Sequence, residues 1–383
     1  MPRWLYYLLG MAVVAPAIDL IWGQQQALAI FICSTLALIP LAALIGRATE
    51  DLEQYVGSTA SGLLNATFGN APELIIGIFA LRAGLISVVQ ASVTGSIISN
   101  ALLVLGSALA LGGWRWGRQF FSARDAGQYS AMMLLAVAGL LIPSTGSLVL
   151  QDVGRRQTIS IAISLVLLVV YVMYLISHIF RVRSDRRNPR QRSTAVKTIK
   201  LVPSTLEDEG HDRTKGQAHA DTQGVRQPPR LWQTLLLLLL ATLGTAWNSE
   251  LLVGTIQPVT SLLGWSPVFV GLVIIPIVGN AAEHSSSVYI ALRDRIDLSM
   301  AIAAGSSIQV ATFVAPLLVL ISMFFPQHMN LIFQPLELAI LGVATILFSI
   351  VSLDGESSWL AGVQLIAVYL MACIVFFFIP GGH

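Results

Sequence analysis

The sequence predicts an all-α polytopic membrane protein of about eleven spans, arranged as one helix followed by two five-helix repeats of inverted topology. Three observations carry this. First, 55% of the 383 residues are hydrophobic and 11% are charged, whereas a soluble domain carries about 25% charged residues. A chain this apolar belongs in a bilayer. Second, apolar runs of about 20 residues, the length that crosses a membrane as a helix, recur from end to end. Third, one polar block occurs twice inside such runs, as Gly69-Asn70-Ala71-Pro72-Glu73 and Gly279-Asn280-Ala281-Ala282-Glu283.

The candidate spans are roughly 4–22, 27–46, 58–81, 87–112, 127–143, 158–180, 231–251, 267–291, 298–323, 335–352 and 359–379. The first follows Arg3 and contains Ala15-Pro16-Ala17, which weakly resembles a signal-peptide cleavage site. Its apolar run outlasts the usual signal core, and a multispanning chain needs no cleavable signal, so residues 1–26 are expected to stay as an N-terminal helix. The runs 127–143 and 335–352 are the shortest. The long polar interruption is 181–230, rich in charge, Pro, Gly, Ser and Thr, with a small acidic cluster at 207–209. Such a composition predicts a linker loop rather than a domain. Cys33 and Cys373 lie in apolar runs without metal-type spacing and read as small buried residues.

Basic residues orient membrane proteins, because Lys and Arg stay in the cytoplasm. With loop 181–230 in the cytoplasm, Arg3, Arg47, Arg115, Arg118, Arg124, Arg293 and Arg295 all fall inside, against Arg82, Arg155 and Arg156 outside. The N-terminus is then cytoplasmic.

The repeat follows from register. The two Gly-Asn-Ala-x-Glu blocks are 210 residues apart, and at the same spacing Gly95-Ser96-Ile97-Ile98 matches Gly305-Ser306-Ser307-Ile308. No gap is needed between the two matches. This pairs a first unit, 27–180, with a second, 231–383. Each holds an odd number of spans, so the units cross in opposite directions. Secondary transporters are often built this way, with the site at the midplane where the units meet.

A charged carboxylate near the bilayer centre costs several kcal/mol and persists only for a function or with a partner. Inverted symmetry brings Glu73 and Glu283 toward one another. Two carboxylates in a low-dielectric site have two low-energy arrangements, neutral with protons bound or ionised around a cation. One site with two competing occupants is the physical basis of cation/proton exchange. The neighbours suit a hard cation, which takes six to eight oxygens. Asn70 and Asn280 offer amide oxygens, and Gly69 and Gly279 permit helix breaks that free carbonyls. Pro72 disfavours helix at the residue before it; the second block has Ala282 there. Ser96, Ser99, Ser306 and Gln309 can add oxygens from the paired spans, although small and hydroxyl residues also serve close helix packing. His284 follows Glu283 and titrates near neutral pH, which suits a proton relay or a hydrogen bond to a neighbouring helix. Glu50 reads by itself as part of a solvated turn.

LLNATFGNAPELI and VIIPIVGNAAEHSSSV resemble the two repeat signatures of the calcium/proton exchanger (CAX) family, within the calcium/cation antiporter superfamily. PLAALIGRATEDL, GSSIQVATFVAPLLVL and MNLIFQPLELAIL with DGESSWLAG are similar to other stretches of that family. The resemblance implies that Glu73 and Glu283 are the exchange carboxylates, with Asn70, Asn280, Ser96, Ser306 and Gln309 in their polar layer. It implies that Glu50 belongs to a proton path or gate, and that His284 is the histidine found after the second glutamate. The acidic cluster at 207–209 is a thin version of the family's acidic segment, and Ser285-Ser286-Ser287 is more polar than the alanine-rich sequence expected there.

The expected activity is alternating-access exchange of Ca2+ for H+, removing Ca2+ from the cytoplasm. The alternatives are a Na+/Ca2+ exchanger of the same superfamily, for which Gly-Thr-Ser rather than Gly-Asn would precede the acid, and a cation channel. An intramembrane hydrolase is disfavoured: His284 and the adjacent serine do not face each other on a helix, and no triad accompanies them. No enzyme activity, no cofactor and no nucleic-acid partner is expected. The partners are Ca2+, protons and the bilayer, with oligomeric state left open, a homo-oligomer included. A bacterial plasma membrane is the expected location, with a vacuolar membrane as the alternative.

Overall fold

The computed structural model describes residues 7–56, 64, 67–149, 152–187 and 230–379. The start of the first span, most of the first half of span 58–81, and linker residues 188–229 with the acidic cluster lie outside the described residues. The chain is helical, in the order α1 (Met11–Trp22), α2 (Ala27–Glu53), α3 (Ala71–Arg82), α4 (Ile86–Trp116), α5 (Ala123–Gly146), α6 (Val153–Arg187), α7 (Leu231–Leu263), α8 (Pro267–Gly279), α9 (Ala281–Ala291), α10 (Ile296–Ser322), α11 (Pro335–Leu353) and α12 (Trp359–Phe378). Among the described residues, eight helices are long and apolar enough to cross a membrane, or nine with α8 and α9 as one span bent by 55°.

In hydrocarbon every backbone polar group must be satisfied within the protein, which favours helices. Many of their hydroxyls are satisfied locally. Ser34 Oγ donates to the Ile30 carbonyl at 2.7 Å, Thr49 to Ile45 at 2.9 Å and Thr245 to Ala241 at 2.8 Å. The polar atom thus folds back onto its own helix instead of facing lipid.

The two short runs are full-length helices, α5 of 24 residues and α11 of 19. Other boundaries differ from expectation. The seventh span ends at Leu263 rather than 251, with Pro258 inside the helix. Leu252, Val253, Ile256 and Val259 bury one face of that extension in the core, and this packing offsets the hydrogen bond that proline removes. Gly264 ends α7 in the left-handed conformation, with φ 69°. Helix α6 likewise continues to Arg187, into the start of the expected linker.

The ends of the bundle follow the predicted order of crossings. A short antiparallel pair, β1 (Gln119–Phe120) with β2 (Glu356–Ser357), joins the loops after α4 and α11. The Ser122 amide donates to Asp297 at 2.8 Å and Trp116 Nε1 to the Leu292 carbonyl at 3.1 Å, adding the loop after α9 to this end. At the opposite end, the segment 329–334 is roofed into the bundle, with Met329, Leu331 and Phe333 buried. Gln157 donates to the Met329 carbonyl and Ser144 to the Leu331 carbonyl, both at 3.1 Å.

Helix α4 runs through the centre and is crossed closely from two sides. A Cβ on Gly95 would lie 2.2 Å from the Leu272 carbonyl oxygen of α8, and one on Gly362 of α12 would lie 2.2 Å from the Ala110 nitrogen. Small residues permit such backbone approaches between membrane helices.

Candidate functional site

Each polar block marks a break in its span. Asn70 (φ −109°, ψ 21°) and Asn280 (φ −88°, ψ 15°) both stand outside helical geometry, one residue ahead of α3 and α9. Pro72 occupies the opening turn of α3, where its missing N–H costs nothing. Glu73 and Glu283 fall in the first turns of their helices. The exposed backbone N–H groups and the helix dipole stabilise negative charge at these positions.

A second pair of irregularities faces these breaks. Helix α4 widens to a π-helix over Ser99–Val104, and α10 does so over Val310–Val314, nearly the repeat spacing apart. Such π-turns are frequent at functional sites. Ser99 and Asn100, at the start of the first, and Ser306 and Gln309, just before the second, face the broken spans or each other. Asn70 Nδ2 donates to Gln309 Oε1 at 2.6 Å, and Asn100 Nδ2 donates to Ser306 Oγ at 2.9 Å. Ser99 Oγ and His284 Nε2 lie 3.3 Å apart.

The layer between these elements is polar, buried and incompletely paired. Both carboxylate oxygens of Glu73 are buried without a hydrogen-bond partner, as are Glu283 Oε2, Ser96 Oγ, Asn100 Oδ1 and both amide atoms of Asn280. Glu73 presses on the opposite break, since a Cβ on Gly279 would lie 2.9 Å from its Oε1. Glu283 stands four residues after Gly279, in the first turn beyond that break. Buried oxygens without partners are costly and call for an explanation. Carboxylate, amide and hydroxyl oxygens gathered at one point are the donor set of a hard cation or of shared protons.

Access is from one end. A cavity of about 420 Å³ reaches the layer, lined by Gly69, Gly279, Glu283, Ser306 and Gln309, with Glu50 and Gly46 of α2 along it. Glu50 is thus part of helix α2 rather than of a turn, and it shares a cavity with Glu283. Ser286 also lines the cavity, while Ser287 turns inward to hydrogen-bond Ser299. On the other side of the layer, Gly77 lies against the side chain of Leu318, to which its Cβ would approach within 3.0 Å.

Of the twelve residues singled out from the sequence, Glu50, Gly69, Gly279, Glu283, Ser306 and Gln309 line the cavity, Asn70, Ser99 and His284 are bonded at the breaks, Glu73 meets Gly279, and Asn280 and Ser96 are buried with unpaired side-chain atoms. One polar residue of the layer, Asn100, was missed, and so was one buried acid outside it, Glu337. Asn100 aligns with Val310 in the repeat, so the comparison of the two halves hid it. Glu337 is 1% exposed in α11; a lone acid inside an apolar run was its available signal.

The model of the sodium/calcium exchanger protein family matches residues 26–180 and 233–378. The chain is 39% identical to a Ca(2+)/H(+) antiporter of Aphanothece halophytica, over 94% of this chain and 92% of that one. It is 37% identical to a vacuolar calcium ion transporter of Schizosaccharomyces pombe, over 94% of this chain and 81% of that one. The solved structure of native YfkE superposes with a TM-score of 0.79 at 33% identity, covering 98% of this chain and all of the other. The family model over most of the chain and this degree of identity over nearly its whole length show that the chain belongs to the sodium/calcium exchanger protein family.

Proposed function

We propose that the protein exchanges Ca2+ for H+ across a membrane by alternating access and removes Ca2+ from the cytoplasm. The observation that carries this is the layer itself, in which two glutamates from symmetric helix breaks converge with unpartnered oxygens. The Ca(2+)/H(+) antiporter relative supports the same pair of ions. Glu73 and Glu283 hold the ion, assisted by Asn70, Asn280, Ser96, Ser99, Ser306, Gln309 and the carbonyls freed at Gly69 and Gly279. Calcium enters through the cavity past Glu50 and binds between the ionised carboxylates. The site then closes on that side and opens on the other, where protons replace calcium and neutralise the pair for the return. Coupling rests on mutual exclusion, because each ligand biases the two conformations differently. His284, beside Ser99, relays protons. No cofactor and no covalent step takes part.

The chain divides into the N-terminal helix 1–26, units 27–180 and 231–383, and the linker 181–230. The Arg distribution supports a cytoplasmic N-terminus and linker, which makes the cavity the cytoplasmic entrance. The proposed location is a bacterial plasma membrane, with a vacuolar membrane, named for the Schizosaccharomyces pombe relative, as the alternative.

The test uses purified protein in liposomes under an imposed pH gradient without sodium. Calcium uptake that needs the gradient is expected, as is its loss in Glu73→Gln and Glu283→Gln. Uptake that ignores the gradient and needs sodium would replace this reading with a Na+/Ca2+ exchanger.

A further inference from the structure

Glu73 and Glu337 are the charged side chains buried among the described residues. Glu73 belongs to the exchange layer, but Glu337 does not. It sits in the first turn of α11, 1% exposed, inside a spanning helix. Among the described residues the ion pairs join Arg82 to Glu250, Arg118 to Glu356 and Arg155 to Asp152, and none reaches Glu337. Helices α4, α5 and α12 pack against α11. Their titratable groups are Arg115 on α4, Arg124, Asp125 and Tyr129 on α5, and Tyr369 and Cys373 on α12. Arg115, Arg124 and Asp125 stand at the opposite end of the bundle, near β1. The side chain hydrogen-bonded to Glu337 is Thr94, through its hydroxyl.

The bond to Thr94 can serve two protonation states. Thr94 Oγ1 lies 3.0 Å from Glu337 Oε2, 3.2 Å from the Ala91 carbonyl and 3.3 Å from the Gln90 carbonyl. A hydroxyl has one hydrogen to give and two lone pairs. With Glu337 ionised, Thr94 donates to Oε2. With Glu337 protonated, the carboxyl donates to Thr94 Oγ1, and Thr94 turns its hydrogen to its own helix carbonyl. Both states are hydrogen-bonded without repacking. A buried carboxylate serving only as a peg would need neither its charge nor a reversible partner.

Its position is that of an entry station. Thr94 stands two residues before Ser96 on α4, about 3 Å along the helix axis. One turn outward, Gln90 Nε2 donates to Asn330 Oδ1 at 3.1 Å and to the Ile332 carbonyl at 2.9 Å, holding the roof formed by 329–334. Ser99 and Asn100, which are bonded at the exchange layer, follow one to two turns further along α4, so Glu337 lies beneath the end of the bundle opposite the Glu50 cavity, between that end and the layer.

We propose that Glu337 is a third proton-carrying carboxylate, which takes up protons from the side opposite the cavity and passes them toward the Glu73–Glu283 pair. In each cycle a proton arriving from that side binds Glu337 and moves on to the pair, and Glu337 is ionised until the next one arrives. This rests on the exchange reading above.

The experiment compares wild type, Glu337→Gln, Glu337→Asp and Thr94→Val in two assays: 45Ca2+ binding to purified protein, and proton-driven calcium flux in liposomes against the pH of the side opposite the cavity. Glu337→Gln keeps the hydrogen bond to Thr94 but carries no proton. It is expected to bind calcium as wild type does, while flux falls on the order of a hundredfold and loses its dependence on that pH. Glu337→Asp restores the dependence, and Thr94→Val, which keeps the carboxylate, displaces the pH profile with calcium affinity intact. A wild-type rate and pH profile in both Glu337→Gln and Thr94→Val would overturn the proposal and leave Glu337 as a structural peg. A joint loss of calcium binding and flux in Glu337→Gln, with Thr94→Val unchanged, would also overturn it. If wild-type flux itself ignores the pH gradient, the exchange reading fails first, and a change confined to the variants cannot be mistaken for that result.

Discussion

The two Gly-Asn-Ala-x-Glu blocks share residues and backbone but not surroundings. In the first half, α3 continues from Glu73 as Leu-Ile-Ile-Gly, and the carboxylate is buried against Gly279. Asn70 is tied to Gln309, and Gly77 further along is closed off by Leu318. In the second half, α9 continues from Glu283 as His-Ser-Ser-Ser, and Glu283 and Ser286 border the open cavity. Asn280, the counterpart of Asn70, has neither amide atom bonded. Both breaks touch the cavity, the first through Gly69 and Pro72, but Glu283 borders it and Glu73 does not. An inverted repeat frozen in one state must show this difference, because the route open beside one half is the route closed beside the other. The comparison assigns the cavity side to the second glutamate and, in the alternate state, predicts the reverse exposure for the first.

The most severe way to break the comparison is to neutralise either acid. Glu73→Gln and Glu283→Gln should each reduce calcium flux to background, despite their different exposure, because an ion held between two carboxylates needs both. Retention of flux in one of them would mean that a single half carries the site.

Next come the paired glycines of the following motif. Gly95 and Gly305 occupy equivalent positions, yet a Cβ on Gly95 would collide with the Leu272 backbone, whereas one on Gly305 meets nothing within 4 Å. Gly95→Ala should destabilise the fold by about 1–3 kcal/mol, seen as a lower melting temperature in detergent. Gly305→Ala should melt like wild type. Equal melting temperatures would show that the α4–α8 approach is not what the packing implies.

A smaller effect separates the asparagines. Asn280→Ala removes an amide with no other duty and should weaken calcium binding roughly tenfold without changing stability. Asn70→Ala should lower both, since it also strands Gln309 Oε1. Isothermal binding and thermal unfolding on the same samples check this.

The smallest effect is at the surface. Arg82 and Glu250 pair at 3.5 Å with both side chains more than half exposed, and Glu250→Gln should change stability by less than about 1 kcal/mol, less still in high salt. A larger change would give this pair a role beyond a surface contact.

Much of this was readable from residues alone. The block 69–73 repeats at 279–283 without a gap, so the two helix breaks and their acids were visible before any coordinates. Span order, the two ends of the bundle and the polar layer followed from apolar runs and from the Ser96 and Ser306 motifs. Other features depend on tertiary packing. The seventh span was bounded at 251, but burial of Leu252, Ile256 and Val259 keeps α7 helical past Gly254 and Pro258. The π-turns at 99–104 and 310–314 are backbone features with no residue signature of their own. Glu50 is exposed, as its sequence context implied, but its place in a helix and along a cavity depends on packing against helices far away in sequence. Glu337 was hidden by its proximity to a loop, where an acid is ordinary.

The central claim is that calcium and protons compete for the same two carboxylates. The most direct measurement is calcium binding to purified wild-type protein across pH, at equilibrium and without a gradient. Binding requires both acids ionised, so affinity must fall as pH falls, approaching about a hundredfold per pH unit where two protons displace one ion. The steep dependence should disappear together with binding in Glu73→Gln and Glu283→Gln. Calcium affinity that stays constant across pH would contradict mutual exclusion, and with it the exchange mechanism.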